Sequence, residues 1–116
     1  MSIHRIGIGP RMSQAVVHGD TVYLAGIVAD APKGKSMAEQ TKSILSQIDG
    51  FLAQAGTDKS KLLSANIWIT DMANFAEMNA VWDAWVSPGN TPARATVEAK
   101  LASPDYLVEI MVVAAR

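Results

Sequence analysis

The sequence predicts an α+β fold: one mainly antiparallel sheet with two helices on one of its faces, in the order β-β-α-β-α-β-β. Three features predict it. Apolar residues switch along the chain from a period of two to helical spacing and back, twice, with Gly and Pro falling singly at the changes. The segment Tyr106 to Ala115 is apolar on both alternating faces, with Glu109 its sole ionisable residue, as a strand covered on both sides requires. No linker, low-complexity tract or internal repeat divides the 116 residues, so 1–116 is expected to form a single domain. Two helices can pave only one side of such a sheet, and the economical cover for the other side is another copy of the chain.

The elements follow in order. Residues 14–18 and 21–28 are β-prone runs separated by Gly19-Asp20, a pair suited to a hairpin turn. After a loop from Pro32 to Lys35, Ser36-Met37-Ala38-Glu39 has capping-box spacing, and Met37, Ile44, Leu45, Ile48 and Leu52 recur at helical intervals until Gly56. Leu62 to Thr70 alternates, with Leu63, Ala65, Ile67 and Ile69 on one face and Ser64, Asn66, Trp68 and Thr70 on the other. Asn74 or Asp71 can cap a second helix whose Phe75, Met78, Trp82 and Trp85 form a stripe, ended by Ser87-Pro88-Gly89. Ala93, Ala95, Val97, Ala99 and Leu101 then alternate with Arg94, Thr96, Glu98 and Lys100, and Ser103-Pro104 turns the chain into the final strand.

Composition narrows the function. Ten Lys and Arg against eleven Asp and Glu leave a formal charge of -1, without the basic excess that a nucleic-acid binder uses to neutralise phosphates. The absence of cysteine removes disulfides, thiolate nucleophiles, zinc ribbons and iron–sulfur clusters. No window approaches a membrane span, and Arg5, Gly7, Gly9, Pro10 and Arg11 stand where a signal peptide needs an apolar run. A soluble cytoplasmic domain is expected, with neither nucleic acid nor membrane as partner. At 49% hydrophobic residues, it carries more apolar surface than one small domain with two helices hides alone, which again argues for an oligomer.

Few residues could carry chemistry. His4 and His18 are the only histidines, too isolated for a triad or a metal site, and the Asp residues are spread over turns and helix ends, so no metal is expected. Gly7 and Gly9 lack the strand and the Gly-Lys-Ser/Thr of a phosphate loop. Trp82 and Trp85 read as helix core, and Trp68 as an interface or pocket residue. Met12 lies in an irregular segment where a pocket rim or plain solvent exposure would both be ordinary. Arg94 and Glu109 stand out. A carboxylate among Leu107, Val108, Ile110 and Met111 costs several kcal/mol if buried unpaired, and the cheapest partner is an arginine on the neighbouring strand. Whether such a pair is structural or functional is left open by spacing alone.

Thr91-Pro92-Ala93-Arg94-Ala95-Thr96-Val97-Glu98, followed by Leu101 and Val108-Glu109-Ile110, resembles the signature of the RidA (YjgF-type) reactive-intermediate deaminase family. Asn74 to Trp82 is similar to that family's second-helix motif, and Tyr23-Leu24-Ala25-Gly26 to its second-strand motif, with the short YoaB-like members most alike. The resemblance implies a chorismate-mutase-like sandwich assembled as a homotrimer with ligand clefts between subunits. It implies a cofactor-free hydrolase that converts 2-imino acids or their enamine tautomers, such as 2-aminoacrylate or 2-iminobutanoate, to 2-keto acids and ammonia. The family's arginine matches Arg94, expected to clamp the substrate carboxylate; its glutamate matches Glu109, expected to position or deprotonate water; its helix asparagine matches Asn79. Thr96, Ala25, Gly26 and Met12 fall at further cleft positions. Ala25 stands where serine is common, Ala95 where serine is frequent, Thr96 where cysteine is frequent and Met12 roughly where a tyrosine lies, so the substrate tail is expected to differ. The alternative expectation is a non-catalytic trimer that binds or senses small carboxylates through the same cleft.

Overall fold

The computed structural model describes residues 1–116. Four short strands, β1 (Ile3–Ile6), β2 (Ala15–His18), β3 (Thr21–Leu24) and β4 (Ile27–Val28), precede helix α1 (Met37–Gln54). β5 (Leu62–Ile69), α2 (Phe75–Trp85), β6 (Ala93–Glu98) and β7 (Val108–Ala115) follow. They build one sheet of order β1-β2-β3-β7-β5-β6, with β4 also paired to β7. Every pairing is antiparallel except β5 with β6, which α2 connects as a crossover. The fold is α+β, as expected.

Two differences from the expected order have local causes. β1 was not anticipated: of Ile3-His4-Arg5-Ile6 only Ile6 is buried, so this edge strand has no apolar alternation to betray it. The expected strand 21–28 is broken, because its register on β7 shifts by one. Between the pairs Tyr23–Val113 and Ile27–Ile110, four residues advance on one chain against three on the other. That extra residue is a β-bulge at Ala25-Gly26, of the kind that re-aims neighbouring side chains.

Capping chemistry sets the helix limits. At α1 the Ser36 hydroxyl accepts from the Glu39 N–H at 3.1 Å, and the Glu39 carboxylate accepts from the Ser36 N–H at 3.3 Å. Its far end closes in a Schellman motif: Gly56 takes φ +80°, and Thr57 N–H reaches the Leu52 carbonyl at 3.0 Å. Asp71 caps a 3₁₀ turn (Met72–Asn74) that leads into α2, accepting from Ala73 N–H at 2.9 Å, whereas Asn74 makes no side-chain cap.

Both helices cover one face of the sheet. Val108, Ile110, Val112 and Ala114 of β7 are fully buried on that face against Ile44, Ile48, Leu52, Met78 and Trp82 in one 22-residue core. On β5 a register irregularity between Leu62 and Ser64 turns Leu62 inward and leaves Leu63 52% exposed, correcting the expectation that Leu63 lies on the apolar face. The other face of the sheet is open. Glu109, Met111, Val113 and Trp68 are half-buried there, beside an exposed Tyr23 and Val97.

Candidate active site

The bulge builds the niche that holds Glu109. In the ladders, Glu109 stands opposite Trp68 of β5 on one side and Val28 of β4 on the other, and all three project from the open face. Its carboxylate lies against the backbone of Gly26, where a Cβ would stand only 2.0 Å from Oε2. Glycine is required at 26 for that close approach, not for an unusual φ. Ala25 donates its N–H to the Gln14 carbonyl at 2.9 Å, which ties the niche to the loop that carries Met12, itself 47% exposed. Ala25, Gly26 and Glu109 therefore form one group, and Met12 stands two residues before its Gln14 anchor.

Arg94 belongs to a second group. It sits in β6 opposite Ala65, a residue buried on the helix face, so its side chain runs toward α2. The guanidinium carbon lies 5.4 Å from the Trp82 ring centroid and 5.9 Å from that of Phe75, the stacking geometry a planar cation favours. Phe75, Asn79 and Trp82 share an i, i+4, i+7 stripe of α2, which puts Asn79 between the two rings under Arg94. Farther along β6, the Glu98 carboxylate accepts the Met72 N–H at 3.0 Å near the start of α2, so Thr96 lies between those two contacts. Asn79 Oδ1 and Thr96 Oγ1 are both buried without a hydrogen-bond partner. Orphaned oxygens of this kind are costly and mark a place where a ligand can supply the missing bonds.

The expected pairing of Arg94 with Glu109 on a neighbouring strand is corrected by this topology. β5 lies between β6 and β7, so the two backbones are roughly 10 Å apart. Arg94 also points to the helix face and Glu109 to the open face. The chain's one ion pair is Lys35–Glu39 at 3.8 Å. Neither Arg94 nor Glu109 has an opposite charge within its own chain, and nowhere do three His, Asp or Glu side chains converge as a metal site would need.

Sequence reasoning missed two contributors. Trp82 is core, 4% exposed, yet one ring face is also the floor beneath Arg94, and Phe75 shares that role. The 75/79/82 spacing was the available signal. Trp85 makes the expected core contact only in part. It is half-buried at the helix–helix seam, and its Nε1–H donates to Asp49 at 3.0 Å.

The profile of the family described as Endoribonuclease L-PSP matches residues 3–116. The chain is 44% identical over 115 residues to the RutC family protein YoaB of Escherichia coli strain K12, covering 99% of each. It is 43% identical to a RutC family protein of Haemophilus influenzae, covering 98% of each. Among solved structures, NMB1025 of Neisseria meningitidis, a member of the YjgF protein family, superposes with a TM-score of 0.96 at 48% identity, over 100% of this chain and 96% of that one. Rv2704 of Mycobacterium tuberculosis superposes at 0.90 with 28% identity. The chain belongs to the Endoribonuclease L-PSP family, whose members here carry the names RutC, YjgF and Rid.

Proposed function

We propose that the protein is a hydrolase of 2-imino acids and their enamine tautomers, acting as a homotrimer in clefts where one copy supplies Arg94 and its neighbour Glu109. The observation that carries the reading is the separation of two unpaired, opposite charges onto two faces of one sheet, each in its own niche. A single chain cannot use them together. A second copy, seated on the open face, can bring its β6 edge against the Glu109 niche, and the apolar residues exposed there need such a cover.

In the cleft, Arg94 holds the substrate carboxylate through two parallel N–H···O bonds, with its ring floor fixing the guanidinium plane. Asn79 and Thr96 accept or donate to polar atoms beside that carboxylate. Glu109 accepts a proton from water as its oxygen bonds to the imine carbon. The C=N π pair moves to nitrogen, which takes that proton from Glu109 to give a carbinolamine; Glu109 then carries the hydroxyl proton to the same nitrogen, and C=O forms as the C–N bond breaks with its electron pair on nitrogen, releasing 2-keto acid and ammonia. Orientation by Arg94 and proton transfer by Glu109 are the two sources of rate. The substrate and product are small anions, and the working partner is another copy of the chain.

The test generates 2-aminoacrylate or 2-iminobutanoate with a dehydratase or an amino-acid oxidase and follows trapping by semicarbazide. The protein is expected to deplete the trapped imine, and Arg94→Ala to lower kcat/KM roughly 10²–10³-fold. No depletion of any 2-imino acid, together with thermal stabilisation by 2-keto acids, would instead establish the non-catalytic carboxylate binder.

A further inference from the structure

α1 carries three polar side chains, Gln40, Ser43 and Gln47, on one stripe at i, i+3 and i+7, beside its apolar face. Gln40 is 1% exposed and makes four bonds. Its Nε2 donates to the carbonyls of Pro32 (3.3 Å), Lys35 (3.2 Å) and Asp105 (3.0 Å), and its Oε1 accepts the Leu107 N–H at 3.0 Å. The Leu107 carbonyl in turn accepts the Thr70 N–H at 3.0 Å. Leu107 is thus held from both sides, two residues before Glu109.

The other two residues hold the opposite flank of the niche. Gln47 Nε2 donates to the Val28 carbonyl at 3.0 Å and to Ser43 Oγ at 3.3 Å, and Ser43 Oγ accepts the Asp30 N–H at 3.0 Å. Val28 is the ladder partner of Glu109, and Gly26, two residues earlier, is what the carboxylate rests against. β4 is two residues long and pairs only with β7, too little ladder to hold its own place. The tether from α1 supplies the rest.

Holding the buried Gln40 amide and the half-buried Gln47 amide costs solvation that an apolar residue of similar size would not lose, so their return here is geometric. We propose that the Gln40–Ser43–Gln47 stripe is the positioning element for Glu109, setting the depth of its carboxylate over Gly26 through Leu107 on one side and Val28 on the other. None of the three touches substrate. The proposal rests on Glu109 being the water-positioning group, and it predicts that loosening the stripe impairs water attack while leaving the Arg94 half of the cleft intact.

The experiment compares Gln47→Met, Gln40→Met and a control, Ser46→Ala, on the exposed face of α1. Two readouts are taken on each protein, imine turnover and the ¹³C resonance of the Glu109 carboxyl group in the ligand-free protein. Gln47→Met is expected to lower kcat roughly 10–10²-fold with KM altered by less than about twofold. It is also expected to displace the Glu109 carboxyl resonance, and Ser46→Ala to do neither. If Gln40→Met fails to fold, Gln47→Met alone decides. A folded Gln47→Met with unchanged kcat and an unmoved resonance overturns the proposal, as does a loss confined to KM. A displaced resonance in a family of proteins that all lack imine turnover, wild type included, sustains the positioning role and overturns the hydrolase reading instead.

Discussion

At the scale of single residues, the niche is built on tolerances of less than one methyl group. Gly26→Ala places a Cβ where the Glu109 carboxylate now lies, so the carboxylate must move by about 1 Å or more, a displacement expected to cost roughly 10²-fold in kcat with little loss of folding stability. Paired kcat and thermal-unfolding measurements check this. Arg94→Lys keeps the charge but loses the planar fork that lies over Trp82 and Phe75, and is expected to raise KM far more than it lowers kcat. Ala31 sits at φ +52°, the one non-glycine residue in the left-handed region. Relief of its Cβ strain, about 1–2 kcal/mol, exceeds the roughly 0.4–1 kcal/mol of unfolded-state entropy that glycine adds, so Ala31→Gly is expected to stabilise the fold by about 0.5 kcal/mol in denaturant unfolding. Glu109 was legible in the sequence because a lone carboxylate is out of character in an apolar strand, and Arg94 through its place in the Thr91-to-Glu98 motif rather than through its polar surroundings. Their separation was not, since alternation assigns a residue to one of two faces without saying which face carries the helices.

At the scale of elements, helices were more legible than strands. Ser36 and Glu39 announce α1, Gly56 ends it, and the stripe from Phe75 to Trp85 gives α2 its core contacts, all from short-range chemistry. Ser36→Ala should cost about 1 kcal/mol of stability, measured by urea unfolding. The Glu39 carboxyl is held below its ordinary 4.5, first by the Ser36 N–H and then by the Ser36 side chain, and Asp58 below 3.8 by the Ser60 hydroxyl and N–H. A carboxyl whose folded pKa is depressed stabilises the fold above its unfolded value, and that contribution is lost as pH falls through the folded pKa. The stability advantage of wild type over Glu39→Gln is therefore full above about pH 4.5 and disappears as pH drops below it. Strand limits were harder to read, because β1 is an edge with one buried residue and the bulges at Ala25-Gly26 and Leu62–Ser64 each reset a period-two pattern by one.

At the scale of the whole molecule, one face of the sheet is closed by helices and the other is left with Tyr23 and Val97 about half exposed. The 49% hydrophobic content anticipates this, and the topology says where the surplus lies. No helix of the fold is long and apolar enough to cross a membrane, and in the proposed assembly a copy of the chain is the cover that also completes the site. Val97→Asp, on the exposed face of the edge strand β6, is expected to yield monomers by light scattering and to abolish turnover without touching Arg94 or Glu109. The central claim, that each site takes Arg94 from one copy and Glu109 from another, is tested most directly by mixing two inactive variants. Arg94→Ala and Glu109→Gln, unfolded together in equal amounts and refolded, should recover about one quarter of wild-type turnover, because random trimers regenerate that fraction of intact clefts. A mixture as inactive as its two components would contradict the claim.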